Sequence, residues 1–69
     1  MAEIIITVNG VQRRVPENFS AGDLLLQLGL DSERVAVAVD EKVIGRDRLT
    51  RRRLRADEQV EIIHFVGGG

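Results

Sequence analysis

Cysteine is absent from the 69 residues, and the single histidine, proline and methionine leave little unusual chemistry to distribute. Without thiols there is no disulfide framework and no thiolate metal site, and a reducing compartment is permitted. Phe19 and Phe65 are the sole aromatics, so a core must be built from aliphatic side chains. Neither sign of charge dominates: ten basic residues face eleven acidic ones, for a net charge of −1. That balance supplies no global attraction for nucleic acid. No apolar run approaches the roughly 20 residues needed to span a bilayer. The opening Met1-Ala2-Glu3-Ile4-Ile5-Ile6 also lacks the basic flank and long apolar stretch of a secretory signal. A soluble, cytoplasmic chain with neither a membrane nor a nucleic-acid partner is expected.

What is present is one small domain, 43% hydrophobic. At this size about 60% of the unfolded chain's surface is buried on folding, so the core is thin. Glu3 to Val8 is rich in β-branched residues and too short for a typical helix, which predicts a strand. Asn9-Gly10 supplies the positive φ angles of a type I′ turn, and Val11 to Val15 reads as the return strand, stopped by Pro16. Ser20 then marks a helix start, with Asp23 as a short version of the capping-box acid and Phe19 and Leu24 placed as a hydrophobic staple. Leu24, Leu25 and Leu28 share a helical face, and Gly29 is placed to end the helix. Leu26 lies off that stripe and is either exposed or part of a broad buried face.

Arg34 to Val39 alternates valine with alanine at the two-residue period of a strand, and its near-continuous apolar character suggests the interior of a sheet. Asp40-Glu41 turns the chain into a short strand, Lys42-Val43-Ile44, and Gly45 marks a bend. After an irregular stretch and the turn-like Ala56-Asp57, Gln59 to Phe65 forms the last strand. One helix with one mostly antiparallel sheet gives an α+β fold, helix on one face. Residues 1–66 make the domain and 67–69 a glycine tail.

Few side chains offer catalysis. His64 has no cysteine to activate, and Ser20 and Ser32 are better explained as a cap and a loop residue. No spacing of histidines and carboxylates suggests a metal site, and no glycine-rich loop precedes a helix as phosphate binding requires. Neither a catalytic residue nor a bound cofactor is expected. Six arginines fall between Arg46 and Arg55 (Arg46, Arg48, Arg51, Arg52, Arg53, Arg55), offset locally by Asp47. They form either a patch steering toward an acidic partner or, more simply, a solvated loop balanced by acids elsewhere in the fold.

The end of the chain carries the strongest signal. Strict alternation points Val60 and Ile62 one way and Glu61, Ile63 and Phe65 the other. With the first pair on the core, Ile63, Phe65 and the adjoining Val66 form an apolar docking patch; ordinary sheet coverage, or a β-bulge returning Phe65 to the core, is the competing arrangement. Gly67-Gly68-Gly69 follows. Bare backbone of this kind enters narrow passages, and the carboxylate of Gly69 is the one chemical group it offers to another protein's active site. A frayed, inert terminus is the plain alternative.

These residues together resemble the ubiquitin-like β-grasp family, and within it the ThiS-type sulfur carriers of thiamine biosynthesis. The resemblance runs from Ile6-Thr7-Val8-Asn9-Gly10 through Ala21-Gly22-Asp23-Leu24-Leu25, Val35-Ala36-Val37-Ala38-Val39 and Val43-Ile44-Gly45-Arg46. It closes with the acidic turn at Asp57-Glu58 and the run from Gln59 to Gly69. Gly45 departs from a frequent proline and Leu49 from a frequent aromatic, both away from the tail. The resemblance implies a β-grasp fold and a non-enzymatic role as substrate of an E1-like (ThiF-type) adenylating enzyme, which uses ATP to activate the Gly69 carboxylate. A cysteine desulfurase would supply the sulfur for a thiocarboxylate, and a thiazole synthase (ThiG type) would take it into the thiazole ring. Gly67, Gly68 and Gly69 would be the reactive arm. The small subunit of molybdopterin synthase, a protein modifier and a binding module with an inert tail are the alternatives.

Overall fold

The Asn9-Gly10 signal forms the expected turn. Asn9 and Gly10 both take positive φ (49° and 83°), which sets strands β1 (Glu3–Val8) and β2 (Val11–Pro16) antiparallel, in a register running from Val8 opposite Val11 to Glu3 opposite Pro16. The computed structural model describes residues 2–66. Pro16 is the last residue of β2 rather than the stop beyond it, a place open to proline because β2 lies at the edge of the sheet.

Helix α1 (Ala21–Leu28) starts where the capping chemistry places it. The Asp23 amide donates to Ser20 Oγ at 2.9 Å, and the Ser20 amide donates to Asp23 Oδ2 at 3.0 Å. The aspartate therefore completes the reciprocal box despite its short side chain. Gly29 ends the helix at φ 70°, its N–H reaching the carbonyls of Leu25 and Leu26. Leu24 and Leu25 are buried and Leu28 is half-buried, whereas Leu26 is exposed, which resolves its position off the stripe.

Strands β3 (Val35–Val39) and β4 (Lys42–Ile44) form a second hairpin through Asp40 and Glu41, both at positive φ. A 3₁₀ turn at Arg46–Arg48 opens the long return to β5 (Gln59–His64). The five strands lie in the order β2-β1-β5-β3-β4; β1 and β5 run parallel and the other pairs antiparallel. A mixed, mostly antiparallel sheet over one helix is the expected architecture. Two strands are a residue shorter than expected, β3 beginning at Val35 and β5 ending at His64, although the Phe65 amide still donates to the Arg34 carbonyl at 2.9 Å.

Val35, Val37 and Val39 point to the helix with Ile6, Val15, Val60 and Ile62, and Leu24 and Leu25 pack onto them from α1. Leu49 and Leu54 bring the return segment into the same core. The aliphatic core that the composition required is therefore a single layer between sheet and helix.

Candidate functional site

Strand β5 is the third of five in the sheet, with β1 on one side and β3 on the other. Its pairing with β3 runs unbroken from Val39 opposite Val60 to Val35 opposite His64, so no bulge intervenes. Alternation therefore holds to the end of the strand. Val60 and Ile62 are buried, while Ile63 is 57% and Phe65 53% exposed. The arrangement that returned Phe65 to the core is excluded. Ile63 stands opposite the small Ala36, and the exposed Val43 of β4 lies opposite Ala38. Apolar surface thus extends across three strands on the face away from the helix. Val66, 96% exposed, leads from this face toward the tail. Gly67, Gly68 and Gly69 lie outside the described residues.

A neighbouring contact holds the strand in place. The β1–β5 ladder comprises Thr7 opposite Gln59 and Val8 opposite Val60, after which β1 leaves at its turn. There the Asn9 side chain continues the pairing: its Nδ2 donates to the Ile62 carbonyl at 3.2 Å, and its Oδ1 accepts from the Ile62 amide at 2.8 Å. Sequence reading assigned Asn9 to the turn alone. An Asn-Gly pair signals positive φ, but nothing local tells that the amide has a second task on a strand 53 residues away.

The remaining candidates fall into structural roles. Ser20 is the helix cap, with its hydroxyl bonded to the Asp23 amide. Ser32 offers its carbonyl to Arg46 Nε at 3.2 Å. His64 is exposed at the end of β5, and no hydrogen bond ties its ring to another described residue. Among the described residues, no group of three or more histidines and carboxylates is placed to hold a metal ion, and no helix is long and apolar enough to cross a membrane. What the surface offers is an apolar face on a firmly held strand, ending at Val66 just before the three glycines of the sequence.

Comparison with known proteins agrees. A family model described as the ThiS family matches residues 6–69. A thiazole synthase from Magnetococcus marinus is 40% identical over 58 residues, 78% of this chain and 18% of that protein. The chain thus spans less than a fifth of that relative's length. The sulfur carrier protein ThiS of Bacillus subtilis is 38% identical over 47 residues, covering 68% of this chain and 71% of that one. The crystal structure of a thiamine biosynthesis protein (ThiS) from Geobacter metallireducens superposes with a TM-score of 0.81 at 29% identity, covering 96% of this chain and all of that one. From the tail-bearing strand, the sheet order and these matches it follows that the chain belongs to the ThiS family of small sulfur carrier proteins, built on the ubiquitin-like β-grasp fold.

Proposed function

We propose that the chain carries sulfur for thiamine biosynthesis as a thiocarboxylate on Gly69. The observation that carries this reading is the family match, which extends to residue 69 and so includes the three terminal glycines. The exposed end of β5 supports it, because Ile63, Phe65 and Val66, immediately before the glycines in sequence, are open to rest on a partner's surface.

The chemistry divides between partners. A carboxylate is a poor electrophile until one oxygen becomes part of a good leaving group. An E1-like adenylating enzyme of the ThiF type supplies that group by joining the Gly69 carboxylate to the α-phosphate of ATP and releasing pyrophosphate. The terminal sulfur of a persulfide made by a cysteine desulfurase then displaces AMP. A thiol reductively cleaves the resulting acyl disulfide at its S–S bond, leaving the thiocarboxylate and a new disulfide. The domain contributes three things of its own. The glycines pass a narrow channel, the apolar face binds, and the absence of cysteine leaves no internal thiol to capture the activated carbonyl. A thiazole synthase of the ThiG type is the acceptor in this reading, supported by the carrier-like segment within the thiazole synthase of Magnetococcus marinus.

Intact mass after incubation with ATP, the adenylating enzyme and a sulfur donor tests the proposal. The expected result is exchange of one terminal oxygen for sulfur, localised by fragmentation to Gly69. An unchanged mass, with the same enzyme competent on another carrier, overturns it.

A further inference from the structure

The return segment between β4 and β5 holds a charge distribution that the carrier chemistry leaves unused. Six of the ten basic residues and one of the eleven acidic residues lie between Arg46 and Arg55, so this segment carries +5 and the rest of the chain −6. From this we propose that the arginine segment is a docking surface for an acidic patch on a partner protein, separate from the surface at the end of β5. The proposal does not rest on the sulfur chemistry.

The segment is held at many points. Leu49 and Leu54 are buried in the core. The Gly22 amide donates to the Leu49 carbonyl at 2.8 Å, the Ala21 amide to Arg52 at 2.9 Å, and the Leu54 amide to Phe19 at 2.8 Å. The backbone under the arginines is therefore fixed against the first turn of α1, and ordering it on binding carries little entropic penalty. A flexible solvated loop would have none of these ties.

The fold does not neutralise the charge. Arg52 pairs with Glu58 at 2.6 Å, and among the described residues no other arginine of the segment lies within ion-pair distance of a carboxylate. Arg46, Arg48, Arg51, Arg53 and Arg55 are exposed. Backbone oxygens orient two of them, Ser32 for Arg46 and Thr50 for Arg53. Arg48 and Arg51 stand with Arg52 around an open hollow of about 270 Å³. Guanidinium groups, such as those of the exposed Arg48 and Arg51, suit carboxylates, which they bind with two parallel hydrogen bonds.

Charge and size favour a protein over nucleic acid. The radius of gyration is 11.7 Å, comparable to the screening length of about 8–10 Å in physiological salt. An extended polyanion on the arginines would also meet the negative remainder of the domain. A compact acidic patch would meet the arginines alone. No aromatic residue lies within the segment to stack a base. The arginines border the helix, whereas Ile63 and Phe65 are on the opposite face of the sheet, so both surfaces are open at once.

Titration of the isotopically labelled protein with a short poly-L-glutamate peptide, and separately with an oligothymidylate of matched charge, tests this by backbone amide shifts. The expected result is shifts centred on residues 46–55, an affinity that falls as salt is raised, and peptide binding at least as tight as oligothymidylate. The combined variant Arg48→Gln, Arg51→Gln, Arg53→Gln keeps Arg52 and its ion pair and is expected to weaken peptide binding about tenfold. Tighter oligothymidylate binding, shifts centred elsewhere, no peptide binding at low salt, or undiminished binding by the folded variant overturns the proposal. The shift map of the unaltered protein decides by itself if the variant does not fold.

Discussion

The side-chain amide of Asn9 stands in for a strand residue beside Ile62, donating to its carbonyl and accepting from its amide. Asn9 also holds φ 49°, so one residue serves the turn and the clamp together. The two tasks separate by substitution. Asn9→Gly keeps the turn and loses the clamp, for an expected cost of about 1–3 kcal/mol from the unpaired Ile62 groups. Asn9→Ala loses both and is lower by roughly another 1 kcal/mol. Urea unfolding measures the totals, and faster amide exchange at Ile62 identifies the clamp.

Leu24 and Leu26 are two residues apart on one helix and differ completely in environment, the first fully buried and the second 79% exposed. Leu24→Ala is expected to cost about 2–5 kcal/mol, a large share of the roughly 3–10 kcal/mol a domain of this size has. Leu26→Ala should stay within about 0.5 kcal/mol of the parent. Equal effects in thermal unfolding would contradict the helix orientation.

Glu58 accepts from both terminal nitrogens of Arg52, and its Oε1 also accepts from the Arg55 amide at 2.7 Å. Glu58→Ala therefore leaves a cation and a backbone donor without their partner, and should destabilise by about 1–3 kcal/mol. The exposed pair Arg34–Asp31 provides the contrast: Asp31→Ala should alter stability by no more than about 1 kcal/mol. Chemical denaturation of the two variants in parallel checks the difference.

Gly22 faces the arginine segment so closely that an added Cβ would lie 3.2 Å from Thr50 Cγ2 and 3.3 Å from Thr50 Cα. Alanine normally improves a helix by about 1 kcal/mol over glycine. Here the backbone of Thr50 would have to move, and Gly22→Ala is expected to be destabilising by about 1–3 kcal/mol instead. Adding Thr50→Ser removes Cγ2 but leaves Cα in place, so it should recover part of the loss. Full recovery would show that the side chain alone was in the way.

Ile63→Ser and Phe65→Ser remove exposed apolar groups and should change stability by about 1 kcal/mol or less. If these residues dock the adenylating enzyme, kcat/KM for pyrophosphate release falls by tenfold or more for the double variant. Unchanged kinetics with unchanged stability would place docking elsewhere.

Most of the fold could be read locally because its signals are local. Asn9-Gly10, the Ser20–Asp23 box and Gly29 each act through backbone geometry within a few residues, and each stands where sequence reading put it. Exposure of Ile63 and Phe65 followed from period-two alternation once Val60 and Ile62 were taken as core. The features that escaped are non-local. The Asn9 clamp, the close approach of Gly22 to Thr50 and the Arg52–Glu58 pair require knowing what the return segment lies against. The arginine run was visible from composition, but not that its backbone is pinned and that, among the described residues, Arg52 alone of its arginines pairs with a carboxylate.

The place of β5 sets an order on biosynthesis. It is the last strand in sequence and sits mid-sheet, so a nascent chain has both hairpins and α1 before anything can join them. The hairpins form from near neighbours, but joining them into one sheet waits for Gln59–His64. A chain cut before Gln59 keeps both hairpins but lacks the strand that lies between them in the sheet. The strand that precedes the glycines is thus also the keystone of the sheet, so a domain with its sheet closed is one in which β5 is already in place.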